Sequence, residues 1–350
     1  MRKPAGNKKS TTMNASMAQS CTTEGYLEAM KEVLVLTERR YEGDGSLSNM
    51  PREYVDNVLQ EDGLVVDALM RVGFAAKRVA WCNDGIRWDA CAAALFRTTW
   101  DYFDRWEAFS AWLNHASNQT TLFNDPGILR WNLDKHYLQD LEQEGVAIVP
   151  TAYVPKHGHV PLFEVCDQRG WNDVVIKPAI AGGAFDTYRV TAQGDGQVLS
   201  PEPSNGSNSK ELWHGLVAKH DMLVQPFLQD VVASGEVSLI WIDGQITHAV
   251  KKRAKQGDFR VQDDHGGTVK RIDVSDELVQ LGTDIMERCT RLCHDRGWAS
   301  PLYARVDLMR DDNEAWQLSE LELVEPELWF RFCPPAADAL AQAIQRRLQA

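Results

Sequence analysis

The chain has 350 residues, of which 44% are apolar and 25% charged, and a formal net charge of −13. That length exceeds one typical domain, and that charge argues against a broad nucleic-acid or anionic-membrane surface. No apolar run approaches a membrane span, no signal-peptide core opens the chain, and seven scattered cysteines form no C-x-x-C pair, which fits a reducing, cytoplasmic setting better than a disulfide scaffold.

Residues 1–25, rich in Ser, Thr, Asn and Lys, read as a disordered tail. Val33-Leu-Val-Leu36 is then predicted as a first buried strand, followed by a Gly/Ser/Asn loop from Tyr41 to Met50. Apolar residues at helical spacing (Val55, Val58, Leu59, Leu64, Ala68, Leu69) predict a helix from Arg52 to Val72, stopping near Gly73. Strands around Ala76–Trp81 and Ala92–Phe96 complete the alternation of an α/β domain with a parallel sheet over residues 26–125. The third strand runs into Arg97-Thr-Thr-Trp-Asp-Tyr102. Ligands gather beyond the carboxyl ends of such strands, so Arg97, Thr98 and Asp101 are candidate substrate contacts, with helix capping as the competing role. Phe103, Trp106, Phe109, Trp112 and Leu113 follow at helical spacing and read as core.

Phe123-Asn-Asp-Pro-Gly is a turn-rich joint, after which a helix is predicted from about Asn132 to Glu144 and strands over Val146–Val154 and Val174–Ile176. Lys177-Pro-Ala-Ile-Ala-Gly-Gly comes next. A lysine at a strand end, with Gly182 and Gly183 in the loop behind it, offers an ammonium and backbone N–H groups to phosphate oxygens; a plain turn fits the same residues. No Walker A loop is present. Gln193 to Ser209 reads as a loose connection. Leu223-Val-Gln-Pro-Phe-Leu228 can cross between two lobes, with Glu236 following, and Asp243-Gly244 joins strands Val237–Ile242 and Ile246–Lys251 in a hairpin. Lys252, Arg253 and Arg260 are long cations able to grip a carboxylate, or simply a solvated basic face. A helix over Ser275–Asp295 carries Cys289 and Cys293 as packing residues, and a short helix begins at Ala336.

Between those helices lies an acidic hairpin, Tyr303-Ala-Arg-Val-Asp-Leu-Met returning through Trp316-Gln-Leu-Ser-Glu-Leu-Glu-Leu-Val-Glu-Pro326. Strand side chains alternate, so Arg305 and Asp307 share one face and Glu320 and Glu322 share one on the return strand. Like charges so gathered repel unless a cation lies among them, and Mg²⁺ with oxygen ligands answers that; an exposed solvated hairpin is the plainer alternative.

The order of these pieces is more specific than any one of them. Trp131-Asn-Leu-Asp-Lys135, Lys177 with its Gly loop, the Gln225–Leu228 hinge, Glu236, and Arg305-x-Asp307 with Glu320-x-Glu322 together resemble the ATP-grasp superfamily. Within it, the Arg97–Tyr102, Trp131–Leu138, Lys177–Gly183 and Glu320–Pro326 segments are most similar to the cyclo-ligase of cycloserine biosynthesis and its relatives. The glutathione synthetase and ribosomal-protein glutamate ligase branch is a more distant likeness. The resemblance implies an α/β fold in which two α+β subdomains (126–224 and 225–350) clasp ATP behind a pre-ATP-grasp domain. It implies ATP with Mg²⁺, or Mn²⁺ in its place, as cofactors. Lys135, Lys177, Gly182 and Gly183 would bind the phosphates, Gln225, Pro226, Phe227 and Leu228 the adenine, and Glu236 the ribose. Asp307, Glu320 and Glu322 would hold the metal, and Arg305, with Lys177, would act on the transferring phosphoryl group. Many relatives carry Asn at the position of Glu322, which leaves the coordination by that residue open. The implied activity is an ATP-dependent ligase joining a carboxylate to an amine or other nitrogen on a small amino-acid-like molecule, through an acyl phosphate and with cyclisation as one form. A catalytically inactive ATP-binding module and a small-molecule kinase are the competing readings. No nucleic-acid or membrane partner is implied, and similar proteins commonly form homodimers.

Overall fold

The computed structural model describes residues 31–349, apart from 193–195, 204–205, 256–258 and 261–265. The expected N-terminal tail lies outside these.

Strand β1 (Glu32–Thr37), helix α1 (Arg52–Arg71), β2 (Ala75–Ala80), β3 (Ala93–Thr98), α2 (Trp106–Ala116) and β4 (Thr121–Phe123) build a parallel sheet in the order β2-β1-β3-β4. Both faces are covered, which is why β1 is an unbroken apolar run. Val33 and Val35 pack on Val65 and Leu69 of α1, whereas Leu34 and Leu36 pack on Phe109 and Leu113 of α2. The aromatic stripe is core at Phe109, buried among Trp81, Phe96 and Trp112, but Trp106 is exposed.

The helix expected over Asn132–Glu144 is two helices, α3 (Pro126–Asn132) and α4 (Tyr137–Gln143). Asp125 starts α3 early by accepting from Gly127 N at 2.7 Å, with Pro126 in the first turn. The break follows from two diversions of backbone hydrogen bonds: Asp134 Oδ1 takes the His136 N–H at 3.0 Å, and Lys135 N bonds Ala179 O at 2.9 Å.

A second sheet, β5-β9-β6-β7-β8, uses β5 (Ala152–Val154), β6 (Asp173–Pro178), β7 (Tyr188–Thr191), β8 (Val198–Ser200) and β9 (Met222–Pro226). Helices α5 (Leu162–Asp167) and α6 (Ser209–Val217) cover it. The segment expected to be a loose connection thus contains β8, paired to β7, and leads into α6 through an Asn208–Glu211 capping box. After α7 (Asp230–Ala233), the third sheet runs β12-β11-β10-β13-β14, from β10 (Glu236–Ile242), β11 (Gln245–Arg253), β12 (Thr268–Ile272), β13 (Tyr303–Arg310) and β14 (Trp316–Glu322). Helix α8 (Asp276–Asp295) buries Met286, Cys289 and Cys293 against it. The last helix, α9 (Pro334–Gln349), is longer than expected and sits on the first sheet, where Leu340 and Ile344 share a core with Val33 and Leu69. No helix among the described residues is long and apolar enough to cross a membrane.

β14 is last in its sheet, and its outer edge is covered by other parts of the chain. Leu318 bonds Ala147 and Val149, Tyr137 Oη accepts from Leu321 N at 2.8 Å, and Asn132 bonds Leu321 O at 2.7 Å and Leu323 N at 2.6 Å. An edge so covered cannot pair elsewhere. Asn124 ties the sheets together, donating to Tyr303 O at 3.0 Å and Leu323 O at 2.7 Å and accepting from Leu302 N at 2.5 Å. Asn124→Ala leaves three buried backbone groups unpaired, so a loss of about 2–4 kcal/mol in urea unfolding is expected. A loss below about 1 kcal/mol would contradict this role.

Candidate active site

One cavity of about 530 Å³ receives residues from the second and third sheets and from segments that follow β1 and β3 of the first. Its floor is the β13–β14 pair, whose register sets Arg305 opposite Glu322 and Asp307 opposite Glu320. Arg305 Nε lies 3.0 Å from each oxygen of Asp307, and Arg305 Nη2 donates to Asp307 Oδ2 at 2.8 Å and to Glu322 Oε1. Asp307 is only 2% exposed and lies beneath the floor, accepting also from Ser238 Oγ at 2.5 Å and facing Lys252 Nζ at 3.3 Å. Lys252 pairs with Glu236 across β10 and β11. Lys135, placed by the break between α3 and α4, reaches Glu320 Oε1 at 3.1 Å and donates to Ala181 O at 2.6 Å.

These charges set one another. Burial would raise the Asp307 carboxyl, but Arg305 and Lys252 outweigh it and hold the group at about 2. For Glu320, too, burial is outweighed, here by Lys135 and Lys177, and its pKa is lowered. Lys177 is lowered, chiefly by desolvation and also by the like charge of Lys135. Glu322 is pushed up to about 7 by burial, against the pull of Arg305, and Glu325 to about 8 by burial and then by the charge of Glu322. Five carboxyl groups thus crowd four cations, and Glu322 and Glu325 hold their protons more tightly than ordinary carboxyls do. Oxygens of Asp307, Glu320 and Glu322 lie within 4.8 Å of one another, a hard donor set that suits a divalent cation.

The loop from Ala181 to Asp186 lies over the cavity. A Cβ on Gly182 would meet Phe103 Cε1 at 3.1 Å, and Phe185 packs on Phe103 with ring centroids 5.1 Å apart. Gln225 to Leu228 line one wall with Val149, Val175 and Met309, an apolar slot suited to a flat ring.

Lys135, Lys177, Gly182, Gly183, Gln225 to Leu228, Glu236, Lys252, Arg260, Arg305, Glu320 and Glu322 all line this cavity. Four expected substrate contacts do not. Arg97 is 1% exposed and donates to Pro326 O at 2.9 Å, with its guanidinium 5.3 Å from the Phe330 ring centroid. Thr98 is bonded to Thr37 and Asp62, and Asp101 accepts from Trp81 Nε1 at 2.7 Å and Arg105 at 3.0 Å. Arg253 is exposed, because alternation along β11 turns Lys252 inward and its neighbour out. The carboxylate of Glu236, expected at ribose hydroxyls, is taken up by Lys252 and by Ser319 Oγ at 3.3 Å.

Unanticipated lining residues come from the turn after β1 and the start of α1: Arg40, Tyr41, Met50 and Tyr54, with Trp100 beside them. Their signal was available, since the loop after the first strand leaves the same carboxyl edge as the Arg97 segment.

The family description "D-cycloserine synthetase DcsG, N-terminal domain" matches residues 33–124, and "RimK-like ATP-grasp domain" matches residues 190–314. The cycloserine biosynthesis protein DcsG of Streptomyces lavendulae is 28% identical over 302 residues, covering 81% of this chain and 93% of that protein. The crystal structure of D-cycloserine synthetase DcsG superposes with a TM-score of 0.74 at 23% identity, over 91% of this chain and 99% of that one. D-alanyl-alanine synthetase A from Vibrio cholerae gives 0.59 at 12% identity, over 92% and 99%.

Proposed function

We propose that the chain is an ATP-grasp ligase that activates the carboxylate of a small amino-acid-like molecule as an acyl phosphate and joins it to a nitrogen nucleophile. The observation that carries this reading is the convergence of Lys135, Lys177 and Arg305 with Glu320 and Glu322, and Asp307 beneath them, on one cavity beside an apolar slot. Binding an adenosine alone would need none of these charges.

In this reading the Gln225–Leu228 wall takes the adenine, while Lys135 and Lys177 hold the phosphates. Glu320 and Glu322, with Asp307 beneath, would hold Mg²⁺, which when bound supplies neutralisation of the phosphate charge. The substrate carboxylate attacks the γ-phosphorus, and Arg305 stabilises the charge spread over the phosphoryl oxygens. The Ala181–Asp186 loop keeps water from the acyl phosphate, which hydrolyses readily. Nitrogen then attacks the activated carbonyl and phosphate departs. Glu236 serves in the charged floor with Lys252. Likeness to a cycloserine biosynthesis protein favours a nitrogen carried on the same molecule as the carboxylate.

Phosphate release over a panel of amino acids and their O-substituted derivatives, singly and in pairs, tests this. Phosphate is expected only where carboxylate and nitrogen are both supplied, and a compound active alone establishes cyclisation. A stable phosphorylated product without free phosphate would make the chain a kinase. Nucleotide binding without turnover across the panel would make it an inactive module.

A further inference from the structure

Resting on the ligase reading above, we propose that Glu325 is a catalytic residue of the second half-reaction, its carboxylate accepting the N–H of the nitrogen nucleophile and then the proton that nitrogen sheds. The acids that line the cavity are otherwise committed. Glu320 pairs with Lys135, Glu322 with Arg305, Glu236 with Lys252 and Glu327 with Arg331, while Asp104 is exposed. Glu325 lines the cavity outside the three-carboxylate set, and its carboxylate accepts no hydrogen bond from the described residues.

Its position is built rather than loose. Four consecutive carbonyls beyond the end of β14 are each held by a side chain. Leu323 O accepts from Asn124 at 2.7 Å, Val324 O from Tyr303 Oη at 2.7 Å, Glu325 O from Trp100 Nε1 at 3.1 Å and Pro326 O from Arg97 at 2.9 Å. This stretch of backbone is fixed by four side-chain donors while the carboxylate is left without one. A half-buried carboxylate without a hydrogen-bond donor is costly and is satisfied best by a ligand that brings N–H groups. Rings of Trp100, Tyr102 and Trp329 line the same cavity and limit the water that competes for it.

The step balances without a further reactant. The nitrogen lone pair forms the C–N bond, the carbonyl-carbon to phosphate-oxygen bond breaks with its electron pair leaving on phosphate, and the surplus proton on nitrogen passes to Glu325 and then to solvent.

Glu325→Gln separates the halves of the reaction. With an acid from the panel, ATP, and hydroxylamine as an external trap that is already uncharged at neutral pH, the variant is expected to form hydroxamate within roughly threefold of the parent. Its own ligation product should fall by roughly 10²-fold or more, and Glu325→Asp should recover part of that loss. Ligation at the parent rate in Glu325→Gln overturns the proposal. So does loss of hydroxamate in step with product, whether by misfolding or by a role in the first half-reaction, if Glu325→Asp behaves alike. Lys177→Met should lose both readouts; retention of both there would refute the ligase site itself, independently of the Glu325 result.

Discussion

Lys177→Met is expected to lower ADP formation at least about 10³-fold, equivalent to about 4 kcal/mol of transition-state stabilisation. The residue is next to last in β6, half-buried beside Lys135 and Glu320, where a desolvated ammonium acts on phosphate charge far more strongly than it would in water. Methionine fills similar volume without the charge, so the sheet should persist. Desolvation disfavours the lysine's charged form, and without nucleotide its removal should therefore leave thermal stability unchanged or higher. ADP production is the readout, measured with both carboxylate and nitrogen present. Activity within tenfold of the parent would remove Lys177 from the phosphate site.

If Glu320 holds the metal as proposed, Glu320→Ala should match that loss to within an order of magnitude and abolish stabilisation by Mg²⁺ with ADP, because it would remove a metal oxygen and free Lys135 from its carboxylate. The same site predicts a pH effect in the parent protein. Glu322 and Glu325 lie at about 7 and about 8 when folded, above the ordinary 4.5, so the folded chain binds more protons than the unfolded one across that interval. Their contribution to stability is present at low pH and is lost as pH rises through the folded values. A divalent cation relieves the same repulsion and must displace the Glu322 proton to do so. Its melting-temperature shift should accordingly be larger near pH 8 than near pH 6. Equal shifts at both would show that the cation binds elsewhere.

Much of this site was readable from residue order. Period-two alternation placed Arg305, Asp307, Glu320 and Glu322 together, and the strand pairing sets them opposite one another. The apolar run at Val33 identified a strand covered on both faces, because Val and Leu alternate between α1 and α2. What escaped depended on contacts distant in the chain. Arg97 looked like a ligand contact because it leaves a strand end, yet its partners Pro326 and Phe330 lie more than two hundred positions away. The break at Asp134 and Lys135 escaped too, since helical periodicity continues through residues whose amides are claimed by Asp134 itself and by Ala179. Arg40 and Tyr54 were legible only from their place beyond the carboxyl end of the first strand, because their composition signals no more than a loop and a helix start.

Helix α9 bears on how the chain comes to be folded during synthesis. Val33 and Val35 of β1 and Val65 and Leu69 of α1 share a core with Leu340 and Ile344, which are translated well after them. The β1–β4 segment thus leaves the ribosome with an apolar face that nothing yet translated can cover fully. A stop codon just before Pro334 should then yield aggregate, even though it spares every residue that lines the cavity.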